Sequence, residues 1–355
     1  MKNRITALTI TVVALVGLAG LLVGQQKHSK APDQGYVPEG WYPHEGSLMK
    51  YAVDIRFGLE PKHTMPPGWF FGRVSAVTAD ASGEVYVFHR NIDIDPIIVF
   101  DNNGKYLRSW GKGLFDNPHG IRIGPDGSVW CVDNRAHQVR KFTRDGKLLL
   151  TLGVRGENGN DETHFGSPTD IAWDRKTHDF YISDGYGNSR VMKFDKDGKF
   201  LLTWGKPGSA PGEFQTVHAV ATDSQGRVYI SDRSNERIQI FTPQGEFLKQ
   251  WTNLGATQGL DITGKDEVFV VTHRNKEENI VYDTLAGRIM KVDIETGKVL
   301  GSMESPGHML DVNDANGEIL IGSLTGNALR WYPSPTFERL RQRGEPVKPR
   351  AAAGR

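Results

Sequence analysis

The chain has 355 residues, with 43 Lys+Arg against 42 Asp+Glu and a formal net charge of +1. That balance excludes a strongly basic nucleic-acid binder and an acidic tail protein. Hydrophobic residues at 38% and aromatics at 10% exclude global disorder, and a single cysteine, Cys131, excludes an intramolecular disulfide and a thiolate metal cluster.

In chain order, Lys2 and Arg4 precede an uncharged run over 5–23, the pattern of an export signal. Leu22-Val23-Gly24 offers a poor cleavage site, because a large side chain stands where a small one is needed. An uncleaved membrane anchor over 1–24 is therefore favoured over a cleaved signal peptide. Either way the positive charges stay inside and the rest is exported, to the periplasm or the extracellular space, touching the membrane only through this segment. Residues 25–46 read as a linker. Residues 333–355, rich in Pro, Arg and Ala without apolar period, read as a disordered tail.

Between these ends one pattern recurs six times. A short strand of aromatic and β-branched residues appears as Val85-Tyr86-Val87-Phe88, Val129-Trp130-Cys131-Val132, Phe180-Tyr181-Ile182-Ser183, Val228-Tyr229-Ile230-Ser231, Val268-Phe269-Val270-Val271 and Ile319-Leu320-Ile321-Gly322. Upstream of each lies a second strand, over 74–80, 118–124, 168–174, 217–223, 257–263 and 307–313, joined in most copies by a turn such as Pro125-Asp126-Gly127. A third strand and a fourth follow, as in Gly198-Lys199-Phe200-Leu201-Leu202-Thr203-Trp204. Four short strands in a unit of 40–51 residues, six times over, predict an all-β, six-bladed propeller of four-stranded blades across 47–332. The sixth copy lacks a fourth strand, and the segment 48–55 is expected to supply it and close the ring.

In a propeller the first strand of each blade lines the central channel. Its second position reads Ser75, His119, Thr169, His218, Gln258 and His308. Histidine thus occupies blades two, four and six alone, about 120° apart, so three imidazoles converge on one point. That is the arrangement of a three-histidine metal site with an open position, for which zinc is the expected ion. The other eight of the 11 histidines miss this register and are read as structural or surface groups.

Directly after the second strand stand Arg90 in blade one and Arg233 in blade four. Two arginines there suggest a carboxylate held bidentately, although each taken singly could equally be a surface arginine paired with an acidic loop. Tyr186, in Asp184-Gly185-Tyr186-Gly187-Asn188, has no apolar neighbours. It is a candidate for presenting its hydroxyl in proton transfer, and capping the blade is the other reading.

The repeats resemble the NHL type of six-bladed propeller. Several segments are similar to the peptidyl-α-hydroxyglycine α-amidating lyases: Val87-Phe88-His89-Arg90, Pro118-His119-Gly120, His137-Gln138-Val139, Pro168-Thr169-Asp170, Ser183-Asp184-Gly185-Tyr186, Asn188-Ser189-Arg190 and Asp232-Arg233. The similarity runs over 72–331 and is strongest over 74–241. The resemblance implies zinc on His119, His218 and His308, with Tyr186, Arg90 and Arg233 as the catalytic tyrosine and arginines. It also implies a structural calcium on the backbone carbonyls of Val77 and Ile121 and on an aspartate after the third histidine. Met309 stands at that last position, so the calcium set departs from the family pattern.

The function so implied is zinc-dependent cleavage of the C–N bond of a peptidyl-α-hydroxyglycine, or a related carbinolamide, to an amide and glyoxylate. The substrate would be a peptide or small molecule bearing a carboxylate, and the chain is expected to act as a monomer. Two alternatives stay open: an exported propeller that binds a ligand or protein without catalysis, and a metal site serving lactone or ester hydrolysis.

Overall fold

The computed structural model describes residues 51–54, 65–272, 287–305 and 307–333. The predicted signal or anchor over 1–24, the linker over 25–46, the tail beyond Pro333 and His273 lie outside the described residues. Among the described residues no helix is long and apolar enough to cross a membrane.

Six four-stranded antiparallel sheets form the blades of a propeller. The inner strands are Val74–Ala79, Pro118–Ile123, Pro168–Trp173, Val217–Thr222, Thr257–Ile262 and Met309–Val312. The second strands, such as Val129–Asp133 and Phe180–Asp184, are buried throughout, because neighbouring blades cover both of their faces. The outermost strands, such as Leu148–Leu152 and Phe200–Trp204, alternate between exposed and half-buried residues.

Several hairpins share one turn chemistry. Asp80 accepts the N–H groups of Ser82 and Glu84, Asp195 those of Asp197 and Lys199, and Asp223 those of Gln225 and Arg227, at 2.8–3.1 Å. A short carboxylate that bonds its own backbone two residues on makes the Asx turn that reverses the chain. The Gly-x-Phe-Leu-x-x-Trp motif of the fourth strand links successive blades. Gly245 lies so close to the Trp204 indole of the preceding blade that a Cβ there would fall 2.7 Å from the ring. The glycine therefore accommodates the previous repeat's tryptophan.

Closure follows the expectation for the segment 48–55. Tyr51–Asp54 pairs antiparallel with Asn327–Pro333, with Tyr51 opposite Pro333 and Asp54 opposite Arg330, and forms the fourth strand of blade six. The chain's first described strand thus completes its last sheet and removes the unpaired edge an open ring would expose.

Candidate active site

The site is built on irregularities of the inner strands. In blades one to five the pairing register shifts by one residue, and the extra residue is Ser75, His119, Thr169, His218 or Gln258. A β-bulge takes its residue out of the ladder and re-aims its side chain. In blade six His308 stands immediately before its strand, and its N–H donates to the Gly322 carbonyl at 2.8 Å. Five of the six positions aligned in the sequence are therefore the extra residues of the innermost strand pairs, and the sixth stands just outside its strand.

The three histidines meet on the axis. Ring centroids lie 5.0 Å apart for His119–His218, 4.7 Å for His119–His308 and 5.0 Å for His218–His308, and one ring nitrogen from each falls within 4.8 Å of the others. All three residues are buried. Each Nδ1 donates to the carbonyl of the bulged residue in the next blade: His119 to Thr169 at 2.7 Å, His218 to Gln258 at 2.5 Å and His308 to Ser75 at 2.8 Å. With the proton placed on Nδ1 by its carbonyl partner, Nε2 carries the lone pair. Burial pushes His119 and His218 well below the usual imidazole range, reinforced by His308 and Arg90 for the first and by Arg233 for the second. Neutral imidazoles with oriented, converging lone pairs suit a zinc-like ion.

Tyr186 stands over this triangle. Its hydroxyl lies 2.8 Å from His218 Nε2 and 3.1 Å from His119 Nε2. Two glycines deliver it: a Cβ on Gly185 would fall 1.7 Å from the Val217 carbonyl oxygen, and one on Gly187 would fall 2.5 Å from that of Gly166. Asp184, fully buried, anchors the loop by accepting Gly166 N–H at 2.7 Å, Asn188 Nδ2 at 2.8 Å and Arg190 Nε at 2.9 Å. The Asp-Gly-Tyr-Gly-Asn-Ser-Arg run is thus a device for holding one phenol over the axis, and Tyr186 does not serve as a blade cap.

Both arginines join it. Arg233 places its guanidinium 5.2 Å from the Tyr186 ring centroid, with Nη1 3.4 Å from the Tyr186 hydroxyl and 3.4 Å from Gln258 Oε1. Arg90 donates through Nε to Ser75 Oγ at 2.8 Å and to the Pro118 carbonyl at 2.9 Å. Among the described residues neither arginine forms an ion pair, whereas the buried Arg122, Arg190, Arg237 and Arg330 all do. Burial lowers the Arg90 guanidinium from its ordinary value. Two guanidinium groups that lack a counter-ion among the described residues, beside a phenol and three imidazoles, have the chemistry an anion requires.

Several supporting residues carry no signal of their own in the sequence. Ser75, the bulged residue of blade one, fixes Arg90 with its hydroxyl and orients His308 with its carbonyl. His89, buried against Phe71, accepts the Asn91 N–H at 3.0 Å and so shapes the turn that carries Arg90; burial holds it down at about 4. The alternation of histidine with Ser75, Thr169 and Gln258 in one register is the signal that would have found the carbonyl partners.

Below the histidines the channel is acidic. Asp170, Asp261 and Asp311 face one guanidinium, Arg122, above a cavity of about 630 Å³ at the opposite mouth, which Arg122, Asp261, Asp311 and Asp314 help to line. Burial, then repulsion from Asp311, raises Asp261 to about 7, with Arg122 and the Val312 N–H opposing and Asp314 adding to the rise. A carboxyl whose folded value lies above its unfolded one stabilises the fold fully below the unfolded value and loses that contribution as pH rises through about 7. Thermal melts between pH 5 and 8 should therefore show a falling melting temperature. In Asp261→Asn that slope should flatten by about 5 °C across the range. An unchanged slope would exclude this residue as its origin.

Comparison with known proteins places these features in context. The NHL repeat pattern matches residues 115–142 and 214–241. Human NHL repeat-containing protein 3 is 31% identical over 301 residues, covering 79% of this chain and 84% of that protein. Peptidyl-glycine alpha-amidating monooxygenase B of Xenopus laevis is 37% identical over 209 residues, covering 50% of this chain and 24% of that protein, so the chain spans about a quarter of that longer relative. A probable peptidyl-alpha-hydroxyglycine alpha-amidating lyase of Caenorhabditis elegans is 28% identical over 265 residues, covering 65% of this chain and 74% of that protein.

Proposed function

The chain belongs to the NHL-repeat propeller family, to which human NHL repeat-containing protein 3 also belongs, and from that premise we propose that it is an amidating-lyase-like carbon–nitrogen lyase. The substrate is a carbinolamide, R–CO–NH–CH(OH)–COO⁻, and the products are the amide R–CO–NH₂ and glyoxylate. The observation that carries the reading is the set itself: Tyr186 Oη within hydrogen-bond reach of two converging imidazoles, beside Arg90 and Arg233, which pair with no carboxylate among the described residues. The name of the Caenorhabditis elegans relative supports the reaction class.

His119, His218 and His308 would hold a zinc ion. When bound, it would supply a positive charge that polarises the substrate hydroxyl. Arg90 and Arg233 bind the substrate carboxylate and orient it, which converts an encounter into a fixed geometry. The Tyr186 oxygen, as phenolate, takes the hydroxyl proton. The electrons of that O–H bond form the new C=O of glyoxylate, the C–N bond breaks, and its electron pair goes to the amide nitrogen. The same Tyr186 oxygen returns the proton to that nitrogen, so atoms and charge balance without an added reactant. The hydrogen bonds of Asp184 to Gly166 and Arg190 anchor the loop that carries the phenol.

We also propose that the chain works outside the cytoplasm as a monomer, held to the membrane only through its N-terminal apolar run, on the strength of the sequence pattern at 1–24. The direct test is glyoxylate release from α-hydroxyhippurate by the zinc-loaded protein. Release at a rate well above the protein-free reaction is the expected result. A second reading is favoured by one observation: the relative covered over 84% of its length is named for its repeats alone. Under that reading the propeller binds a carboxylate ligand without turning it over. Zinc-loaded protein that binds α-hydroxyhippurate yet releases no glyoxylate would establish it instead.

A further inference from the structure

The calcium implied by the family resemblance would take the carbonyls of Val77 and Ile121 and a carboxylate after the third histidine. The residues present do not suit that ion. After His308 comes Met309, 1% exposed and part of the same apolar cluster as Ala76 and Ile121. A thioether is a soft donor, whereas calcium takes six to eight hard oxygen ligands. The carboxylates nearest the axis are already engaged. Asp170 pairs with Arg122 through both oxygens, and Asp311 accepts Thr78 Oγ1 at 3.0 Å and Arg122 at 3.2 Å.

We infer that the Arg122 guanidinium is this propeller's own axial cation and takes the place of a structural calcium, so that the fold needs no such ion. Arg122 starts in the inner strand of blade two and reaches across the channel. Nε and Nη2 donate to Asp170 of blade three at 3.1 and 2.9 Å. Nη1 donates to the Leu310 carbonyl of blade six at 2.6 Å and to Asp311 at 3.2 Å, while Nη2 also lies 3.4 Å from the Leu260 carbonyl of blade five. Leu260 and Leu310 hold the fourth register position of their strands, the position Val77 and Ile121 hold in theirs. One cation thus gathers carbonyls and carboxylates from the same level of the channel that the calcium would bridge.

The chemistry favours the guanidinium for this task. Its planar fork matches a carboxylate bidentately and leaves further N–H groups for carbonyls. It is covalently tethered, so its occupancy does not depend on the ion content of the medium. A dication at the same level would be repelled by it and would find Asp170 and Asp311 already paired. The side chain is 9% exposed and Asp170 is fully buried, so removing the charge leaves carboxylates without compensation. This inference concerns the channel below the histidines and does not depend on the lyase reading.

The test is made on the full chain. Elemental analysis should find no stoichiometric calcium, and added calcium chloride should leave the melting temperature within about 1 °C. Arg122→Ala should melt about 5–10 °C lower. It should also gain a response that the parent lacks, its melting temperature rising with calcium as the freed carboxylates bind the ion. Arg122→Ala that folds only with calcium would support the inference equally. Stoichiometric calcium in the parent chain, with a melting temperature that rises on adding it, would overturn the inference even if the variant never folds. So would a folded Arg122→Ala that neither loses stability nor responds to calcium.

Discussion

Replacing His218 with alanine is expected to remove metal binding and turnover together. His218 supplies one of three converging imidazoles, and its Nδ1 is held by the Gln258 carbonyl. Altering even outer partners of a metal ligand costs about 10–100-fold in affinity, so losing a ligand should cost more than about 10²-fold. The same substitution removes the acceptor nearest the Tyr186 hydroxyl. It also leaves the Gln258 carbonyl without its partner and a small void in a fully buried position, so a loss of about 1–3 kcal/mol in stability is expected beside the functional loss. The measurement is zinc content per chain alongside glyoxylate release, with a thermal melt to show that the variant is folded. A folded His218→Ala chain that keeps one zinc and full turnover would sink the site.

Tyr186→Phe separates the base from the metal. Tyr186 is 41% exposed, and among the described residues its hydroxyl bonds only to the imidazoles and Arg233. Deleting it should therefore leave the fold and zinc content unchanged. The rate constant for glyoxylate release should fall by about 10²–10⁴-fold, the range for a general base. KM should change little, because Arg90 and Arg233 are the groups proposed to bind the carboxylate. An equal loss in Ala and Phe variants, with zinc retained in both, would place the effect in the hydroxyl and not in the ring. Full activity in Tyr186→Phe would remove the residue from the chemistry.

The two substitutions also discriminate between the readings of the site. A propeller that only binds a carboxylate ligand should tolerate Tyr186→Phe without loss of affinity, since the phenol makes no ion pair. A lyase should bind the substrate in both forms and turn it over in one.

Much of this molecule was readable from the chain. Six copies of a four-strand unit, with Asx turns in several hairpins and a glycine against the preceding repeat's tryptophan at Gly146, Gly245 and Gly297, specify blades because most of these signals are local to one repeat. The alternation of histidine in one register survived into the structure because position along an inner strand fixes the height of a side chain in the channel. The Asp184-to-Arg190 run left open whether Tyr186 caps the blade or presents its hydroxyl, and the structure puts that hydroxyl beside the imidazoles. The closing strand Tyr51–Asp54 was foreseeable by counting, since blade six was one strand short.

Other features required contacts between residues far apart in sequence. The bulges at Ser75, His119, Thr169, His218 and Gln258 are set by pairing with the next strand, and nothing in their composition announces them. The carbonyl partners that fix the imidazole tautomers come from the neighbouring blade, so their role depends on how blades are stacked. The second register position, from Ser75 to His308, holds no carboxylate. The third and fifth positions bring in Asp170, Asp261 and Asp311. Blade stacking sets Arg122 beside Asp170, and ring closure brings it to Asp311, a contact that spans 189 residues. The sequence by itself determined the repeat, the blade count and the heights at which reactive side chains stand, because strand periodicity is a local property. Only the tertiary structure decided which side chains share a counter-ion and which are left without one, because charge compensation in a closed ring is settled across the axis and not along the chain.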